Sequence, residues 1–122
     1  MSATRGIVLF AHGSRDERWR APVEAVARRV AELDPQVKVS CAYLERVQPD
    51  LRGAAEALIA QGACTIRVLP LFLGMGRHVR EDLPRLLDDL RARHPAVEFT
   101  LAGAVGEAPE VIELLATKAL ES

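Results

Sequence analysis

Two histidines have neighbours that could take part in chemistry. His12 directly follows the apolar run Val8–Ala11 and opens the pentapeptide His-Gly-Ser-Arg-Asp. His78 lies in the segment 70–82, PLFLGMGRHVRED. A neutral imidazole near pH 7 can ligate a transition metal or accept a proton. We therefore take both histidines as candidates for metal binding and for proton transfer.

The segment before His78 combines glycines with apolar and basic side chains. Gly74 and Gly76 flank Met75, and Arg77 precedes the histidine. Two glycines in three residues allow backbone conformations that other residues avoid, and they leave room for a ligand to approach the main chain.

Three apolar residues of the same segment are expected to be exposed: Phe72, Leu73 and Met75. An exposed apolar loop is typical of a site for a flat hydrophobic ligand or for a partner subunit. A mobile turn without a ligand is the alternative interpretation.

Glu45 is a third candidate, because it follows the second predicted strand. Its carboxylate could accept a proton or act as a third metal ligand, or it could pair with Arg46 or Arg52 in solvent. Both interpretations stay open. Two imidazoles and a carboxylate suit cobalt, iron, nickel or zinc.

Arginines are concentrated around the two histidines. They are Arg15, Arg18, Arg20, Arg77 and Arg80. Guanidinium groups bind carboxylates through two parallel hydrogen bonds, although some of these arginines are expected simply to face solvent. Arginines around the site, exposed apolar side chains and two facing histidines together fit a site that binds a flat polycarboxylate ligand and a metal ion.

The apolar periodicity predicts four strand–helix pairs. Pro22 suits a first helical turn, Asp50 is a plausible helix cap and Gly62 a helix stop. The predicted strands are 5–11, 37–44, 65–71 and 97–102, and the predicted helices are 21–33, 50–61, 80–93 and 108–120.

This alternation predicts one α/β domain over residues 1–122, flavodoxin-like, with helices on both faces of a parallel sheet of order 2-1-3-4. Ligands of such sheets bind at the carboxyl ends of the strands, where the strand order reverses. That point lies between strands 1 and 3, so His12 and His78 are expected to face each other. His94, beside Pro95 at a helix end, is expected on the surface.

Composition limits the classes of partner. The net charge of −1 argues against non-specific nucleic-acid binding, and no apolar run is long enough to cross a membrane. The segment 1–5 leads into a strand without a signal peptide, so we expect a cytoplasmic protein. Cys41 and Cys64 match no metal-binding spacing and are interpreted as buried, reduced thiols.

Three segments together resemble the class II tetrapyrrole chelatases, and specifically the short sirohydrochlorin chelatases. They are LFAHGSRD, YLERVQPDL and VLPLFLGMGRHVREDLP, and the resemblance covers nearly the whole chain. It implies a chelatase-like fold and a lyase that inserts Co²⁺ or Fe²⁺ into sirohydrochlorin, in cobalamin or sirohaem biosynthesis. Nickel stays open as a substrate metal.

The resemblance also implies roles for individual residues. His12 and His78 would be the metal-binding and catalytic histidines, and Glu45 matches only by its place after strand 2. The tetrapyrrole would contact residues around the histidines: Arg15, Gly74, Met75, Gly76 and Arg77. Larger members have two similar halves around one cleft, so a chain that resembles one half implies a homodimer. No nucleotide is expected, because the glycines match neither G-x-G-x-x-G nor a P-loop.

Three other functions share the fold or some of these residues. Histidine phosphatases carry an arginine directly before their His-Gly pair, whereas Ala11 stands there in this chain. Receiver domains share the fold but need an acidic cluster at the end of strand 1. A non-enzymatic carrier of metal or tetrapyrrole would use the same residues as a chelatase, so turnover alone distinguishes the two.

Overall fold

Four parallel strands form one sheet in the order β2-β1-β3-β4, as the sequence predicts. The computed structural model describes residues 4–121. The expectation about a signal peptide in part concerns residues 1–3 and so falls outside the described residues. The strands are β1 (Thr4–Ala11), β2 (Lys38–Tyr43), β3 (Ala63–Pro70) and β4 (Glu98–Leu101).

A helix follows each strand, and a short 3₁₀ turn precedes the last helix. The helices are α1 (Glu17–Leu33), α2 (Leu51–Ala60), α3 (Arg77–Arg93) and α4 (Pro109–Leu120), and the 3₁₀ turn is Val105–Glu107. No helix in the described part of the chain is long and apolar enough to cross a bilayer.

The ends of α2 follow the local signals in the sequence. The carboxylate of Asp50 accepts a hydrogen bond from the Gly53 N–H at 2.8 Å and so caps the first turn. Gly62 has a φ of +100°, and its N–H donates to the Ile59 carbonyl at 2.9 Å. Both the predicted cap and the predicted stop are confirmed.

Helix α1 begins earlier than the sequence pattern predicted. It starts at Glu17 because the Asp16 carboxylate accepts from the Arg18 N–H at 2.9 Å. The prediction that Pro22 lies in the first turn is therefore wrong, because this proline lies within the helix. The earlier start places the helix N-terminus directly after the His-Gly-Ser-Arg-Asp segment.

Helix α3 also begins earlier than predicted. Gly76 has extended backbone angles (φ −67°, ψ 169°), and its carbonyl accepts from the Arg80 N–H at 3.0 Å. The helix therefore starts at Arg77 rather than at residue 80. As a result His78 lies in the first helical turn, where its main chain is held by the helix.

The two faces of the sheet are covered unequally. Helices α2 and α3 pack on the first face, over a core that includes Phe10, Val68 and Phe99. Helix α1 packs on the second face against β2 and β1, with Val23 buried. Helix α4 contacts mainly the 3₁₀ turn and buries none of its own residues.

His94 is less exposed than the sequence indicated. Its side chain is 23% exposed, and its Nε2 lies 2.9 Å from a carboxylate oxygen of Glu56 on α2. His94 therefore lies at the surface, as expected, but it is partly buried and paired with Glu56, which the sequence did not indicate. The bond joins α2 to the end of α3, and together with the charge of Arg52 it lowers the pKa of Glu56.

The Glu56–His94 bond predicts a pH-dependent contribution to stability. Because the folded state lowers the pKa of Glu56, the contribution is present above the ordinary glutamate pKa, about 4.3. It is lost as the pH falls through the lower folded-state value. We expect Glu56→Gln to be less stable than the natural protein at neutral pH, and the difference to shrink in acid. Urea unfolding between about pH 3 and pH 7 measures this.

The matched control for this experiment is Glu81→Gln. It removes the exposed ion pair between Arg77 and Glu81, whose Nε–Oε1 distance is 3.1 Å. Exposed pairs of this kind contribute little, so the control should stay close to the natural protein at every pH. A Glu56→Gln difference that is constant across the pH range would contradict the linkage.

Candidate functional site

His12 is held at the carboxyl end of β1 by its main chain. The Ala11 carbonyl accepts from the Leu44 N–H at 2.8 Å, and the His12 carbonyl accepts from the Glu45 N–H at 3.0 Å. These bonds continue the pairing of β1 with β2 beyond the last strand residues. They fix the backbone of His12 while its side chain stays exposed.

Gly13 makes the close approach of these two loops possible. It has a φ of +101°, and a Cβ placed on it would overlap the carbonyl oxygen of Glu45. A glycine is therefore required at position 13, because of both the backbone angles and the space available. The turn after His12 cannot accept a side chain at this position without moving the loop after β2.

The imidazole of His12 packs against the ring of Phe72 in a tilted arrangement. The two ring centroids are 4.4 Å apart, with an angle of 54° between the planes. Phe72 is only 3% exposed, and its ring meets Phe10 edge to face at 5.8 Å. The expectation that Phe72 belongs to an exposed apolar loop is wrong, because this ring is part of the core that supports His12.

The rest of the loop after β3 is mixed in its exposure. The Leu71 N–H donates to the Phe10 carbonyl at 2.7 Å, which continues the pairing of β3 with β1. Leu73 is 73% exposed, as predicted, whereas Met75 is partly buried against the core.

The two loop glycines do not use the conformational freedom that their residue type allows. Neither Gly74 nor Gly76 has a positive φ. A Cβ at either position would meet open space. Both positions are exposed, so the main chain there is accessible to a ligand.

His78 and Glu45 are the other two predicted site residues. His78 is exposed in the first turn of α3, after β3, and Glu45 is exposed after β2. Because β3 and β2 are the two neighbours of β1, both residues belong to the same edge of the sheet as His12. Within residues 4–121 no three His, Cys, Asp or Glu side chains are grouped as a metal site. The binding of one metal ion by His12, His78 and Glu45 together therefore stays a prediction.

Two of the five arginines around the site have partners. An Nη1 of Arg20 donates to the Ser14 carbonyl at 3.3 Å, and Arg77 pairs with Glu81. Arg15, Arg18 and Arg80 are exposed and form no ion pair with any residue in the range 4–121. These three guanidinium groups are available to an anionic ligand.

Large apolar side chains are exposed at the same edge. Trp19 in the first turn of α1 is 39% exposed, and Leu44 after β2 is 42% exposed. With Leu73 they place one apolar side chain after each of β1, β2 and β3. Neither Trp19 nor Leu44 was predicted as a site residue, although Trp19 is the only tryptophan in the chain.

A small cavity lies beside the loop after β2. Its volume is about 220 Å³, and its walls are mostly apolar. The residues around it are Phe10, Tyr43, Leu44, Asp50, Leu51, Arg52 and Leu86.

The two cysteines are half-buried free thiols, and burial raises the pKa of Cys41.

An open parallel sheet in the order β2-β1-β3-β4 with helices on both faces defines a flavodoxin-like α/β protein. The family model CbiX matches residues 6–122. The chain belongs to the CbiX family.

Named relatives support this assignment. A sirohydrochlorin cobaltochelatase of Saccharolobus solfataricus is 31% identical over 96% of this chain and 94% of its own length. A sirohydrochlorin ferrochelatase of Priestia megaterium is 28% identical over 95% of this chain, which spans only 44% of that relative. A crystal structure of a CbiX protein from Marinobacter aquaeolei VT8 matches with a TM-score of 0.77, 34% identity and coverage of 95% and 97% of the two chains.

Proposed function

We propose that this protein is a sirohydrochlorin chelatase, a lyase that inserts Co²⁺ or Fe²⁺ into the tetrapyrrole. The observation that carries the proposal is the position of His12. It is an exposed imidazole backed by a buried aromatic ring, at the end of β1, with His78 following the adjacent strand β3. Relatives named for cobalt and for iron insertion agree with it.

The reaction requires proton removal and metal delivery. A divalent ion enters the macrocycle as two protons leave pyrrole nitrogens, so charge balances without a covalent intermediate. A neutral imidazole can ligate the incoming ion or accept one of the protons. We assign these tasks to His12 and His78, with the metal as substrate and without a nucleotide. Nickel remains a further candidate ion.

Glu45 is proposed as an additional proton acceptor or metal ligand. Its main chain is bonded to His12, so its position depends on the same turn that holds the histidine. The carboxylate is exposed and would reach the reacting atoms only when substrate brings the side chains together. The loop that carries it includes Arg46, which has a positive φ of 76°.

The exposed apolar side chains fit the macrocycle of the substrate, and the arginines fit its carboxylates. Trp19, Leu44 and Leu73 offer apolar surface to a flat macrocycle. Arg15, beside His12, is proposed to bind one of its carboxylates, and Arg77 can do so after leaving Glu81. Gly74, Met75 and Gly76 give the macrocycle access to the main chain of the loop after β3.

Replacement of Arg15 by glutamine is expected to raise KM for the tetrapyrrole about tenfold and to change kcat little. A hydrogen bond to a charged group contributes about 1.5–3 kcal/mol, and uniform binding affects KM alone. Steady-state insertion kinetics measure both constants. The matched control is Arg29→Gln, which removes an exposed arginine paired with Glu32 on α1. If both variants have the natural KM, Arg15 does not bind substrate.

The protein is proposed to act as a homodimer in the cytoplasm. The chain spans less than half of the Priestia ferrochelatase, so a second copy would supply the missing half of a cleft. Free thiols at Cys41 and Cys64 fit a reducing compartment.

The test is anaerobic metal insertion followed by the absorbance of sirohydrochlorin with Co²⁺ or Fe²⁺. A chelatase gives many turnovers per protein above the spontaneous rate. A carrier of metal or tetrapyrrole instead stops at one equivalent per site. Insertion no faster than in buffer alone would exclude the proposed enzyme and favour the carrier.

A further inference from the structure

The imidazole of His12 depends on packing for its orientation. Its main chain is fixed by the bonds to the loop after β2, but its side chain is exposed. In the described part of the chain the ring forms no side-chain hydrogen bond. Its aromatic neighbour is the buried ring of Phe72, with 4.4 Å between the centroids. The position of Phe72 therefore limits the rotamers that the imidazole can adopt.

The loop after β3 is held on both sides of Phe72 by main-chain bonds. On one side the Leu71 N–H donates to the Phe10 carbonyl at 2.7 Å, and on the other the Phe72 carbonyl accepts from the Gly106 N–H at 2.9 Å. Gly106 belongs to the 3₁₀ turn Val105–Glu107, which follows β4. The edge strand β4 is thus connected, through the loop after β3, to the central strand that carries His12.

Gly106 lies directly against the main chain of this loop. A Cβ at position 106 would overlap the carbonyl oxygen and the Cα of Leu73. Gly106 does not have a positive φ, so its backbone angles do not demand a glycine. The close approach of two main chains demands it instead, and a side chain at position 106 would have to displace the loop that carries Phe72.

The 3₁₀ turn is itself attached to the sheet and to the core. The Ala102 N–H donates to the Val68 carbonyl at 2.9 Å, which continues the pairing of β4 with β3. Ala104 is 2% exposed and belongs to the same core cluster as Phe72. Its carbonyl accepts from the Glu107 N–H at 3.0 Å. The turn can therefore act as a fixed support for the neighbouring loop.

We infer that the 3₁₀ turn after β4 positions the imidazole of His12 through Phe72. Gly106 holds the loop after β3, and the ring of Phe72 in that loop holds the imidazole. Both are positioning residues, because they act on the reaction through His12. The inference deepens the proposed function and rests on it for its effect on the rate, since a misplacement of about 1 Å can cost about 10²-fold.

Gly106→Ala tests the support from the turn, and Gly103→Ala is its matched control. Both glycines lie between β4 and α4, and neither has a positive φ. A Cβ at position 103 comes no closer than 3.8 Å to another residue, at the Glu107 carboxylate. We expect Gly106→Ala to displace the main chain at Leu73 and to lower kcat for metal insertion about 10- to 100-fold. Gly103→Ala should keep the natural kcat.

Phe72→Leu tests the aromatic contact, and Phe99→Leu is its matched control. Each substitution removes one ring from the same core cluster and keeps an apolar side chain. Phe72 is 3% exposed and Phe99, on β4, is 4% exposed, so we expect comparable losses of stability. Only Phe72→Leu should lower kcat, by about tenfold. It should leave KM for the tetrapyrrole unchanged, because the buried ring contacts His12 rather than substrate.

The proton resonances of the His12 imidazole report its position without turnover, because an aromatic ring shifts the resonances of protons beside it. NMR of the full-length, histidine-labelled protein at about pH 8, where imidazoles are ordinarily neutral, measures them. The spectrum of His12→Ala assigns the signals, and His94, which contacts Glu56, provides an internal reference. Both test variants should move the His12 signals, and both controls should leave them in place.

The outcomes separate this inference from the proposed function. His12 signals that stay in place in Gly106→Ala would overturn the inference, whatever happens to the activity. Moved signals together with the natural kcat would also overturn it, because the orientation of the ring would then not matter for insertion. If the natural protein inserts no metal, the proposed function fails, and the NMR signals still decide whether the turn positions His12. Far-UV circular dichroism verifies folding, and Phe72→Leu tests the contact without changing the turn.

Discussion

His12→Ala and His78→Ala are each expected to lower kcat for metal insertion by about 10²–10⁴-fold, the range for a lost acid–base group. His12 is the more constrained of the two, because its main chain is bonded to Glu45 and its ring packs against Phe72. Removal of the imidazole deletes the reacting nitrogens and the contact with Phe72, but leaves the main-chain bond to Glu45 in place. Anaerobic insertion with sirohydrochlorin and Co²⁺ measures the loss.

The two histidines can be assigned separate tasks by varying the metal concentration. A variant that lacks a metal ligand should recover part of its rate at high metal concentration. A variant that lacks the proton acceptor should not recover at any metal concentration. Measuring both variants across metal concentration therefore distinguishes ligand from base.

His94→Ala is the matched control. It removes the third histidine of the chain, which lies at the opposite end of α3 from His78 and contacts Glu56. Its insertion rate should equal that of the natural protein at a temperature where both are folded. Full activity in either His12→Ala or His78→Ala would contradict the assignment of that histidine.

The strand order, and with it the sheet edge to which His12 and His78 belong, could be predicted from the sequence because they depend on local patterns. Apolar strands of the right length alternate with amphipathic helices, and Asp50 and Gly62 mark the ends of α2. Right-handed crossovers then leave few arrangements. The switch point between β1 and β3 follows from that order, and with it the expectation that His12 and His78 share an edge.

The start of α3 could not be read from the sequence. Gly76 provides no side-chain cap, and two glycines in three residues are typical of a loop. The sequence did carry a signal for the start of α1, because Asp16 is a good N-cap. The predicted helix began at residue 21 instead, because Pro22 was placed in the first helical turn.

Contacts between distant segments explain the other errors. Phe72 follows a strand and was expected to be exposed, but it meets Phe10 and His12 from other parts of the chain. His94 is partly buried because Glu56 on α2 reaches it. Such contacts depend on how elements pack, and periodicity carries no information about them.

Gly13→Ala is expected to destabilise the protein by about 2–5 kcal/mol and to impair insertion at the same time. The positive φ costs a side chain about 1–2 kcal/mol, and overlap of the new Cβ with the Glu45 carbonyl adds about 1–3 kcal/mol of crowding. Relief of the overlap must displace the loop after β2 or the turn after β1. Either movement breaks the bond between the Glu45 N–H and the His12 carbonyl, so the histidine loses its position.

Gly62→Ala separates the cost of the positive φ from the cost of crowding. Gly62 has nearly the same φ, +100°, but a Cβ there meets nothing within 4 Å. This variant should therefore show only the conformational cost of about 1–2 kcal/mol and full insertion activity. Urea unfolding and insertion rates of both variants measure the difference. Equal destabilisation by the two substitutions would mean that the contact between position 13 and Glu45 does not constrain the turn after His12.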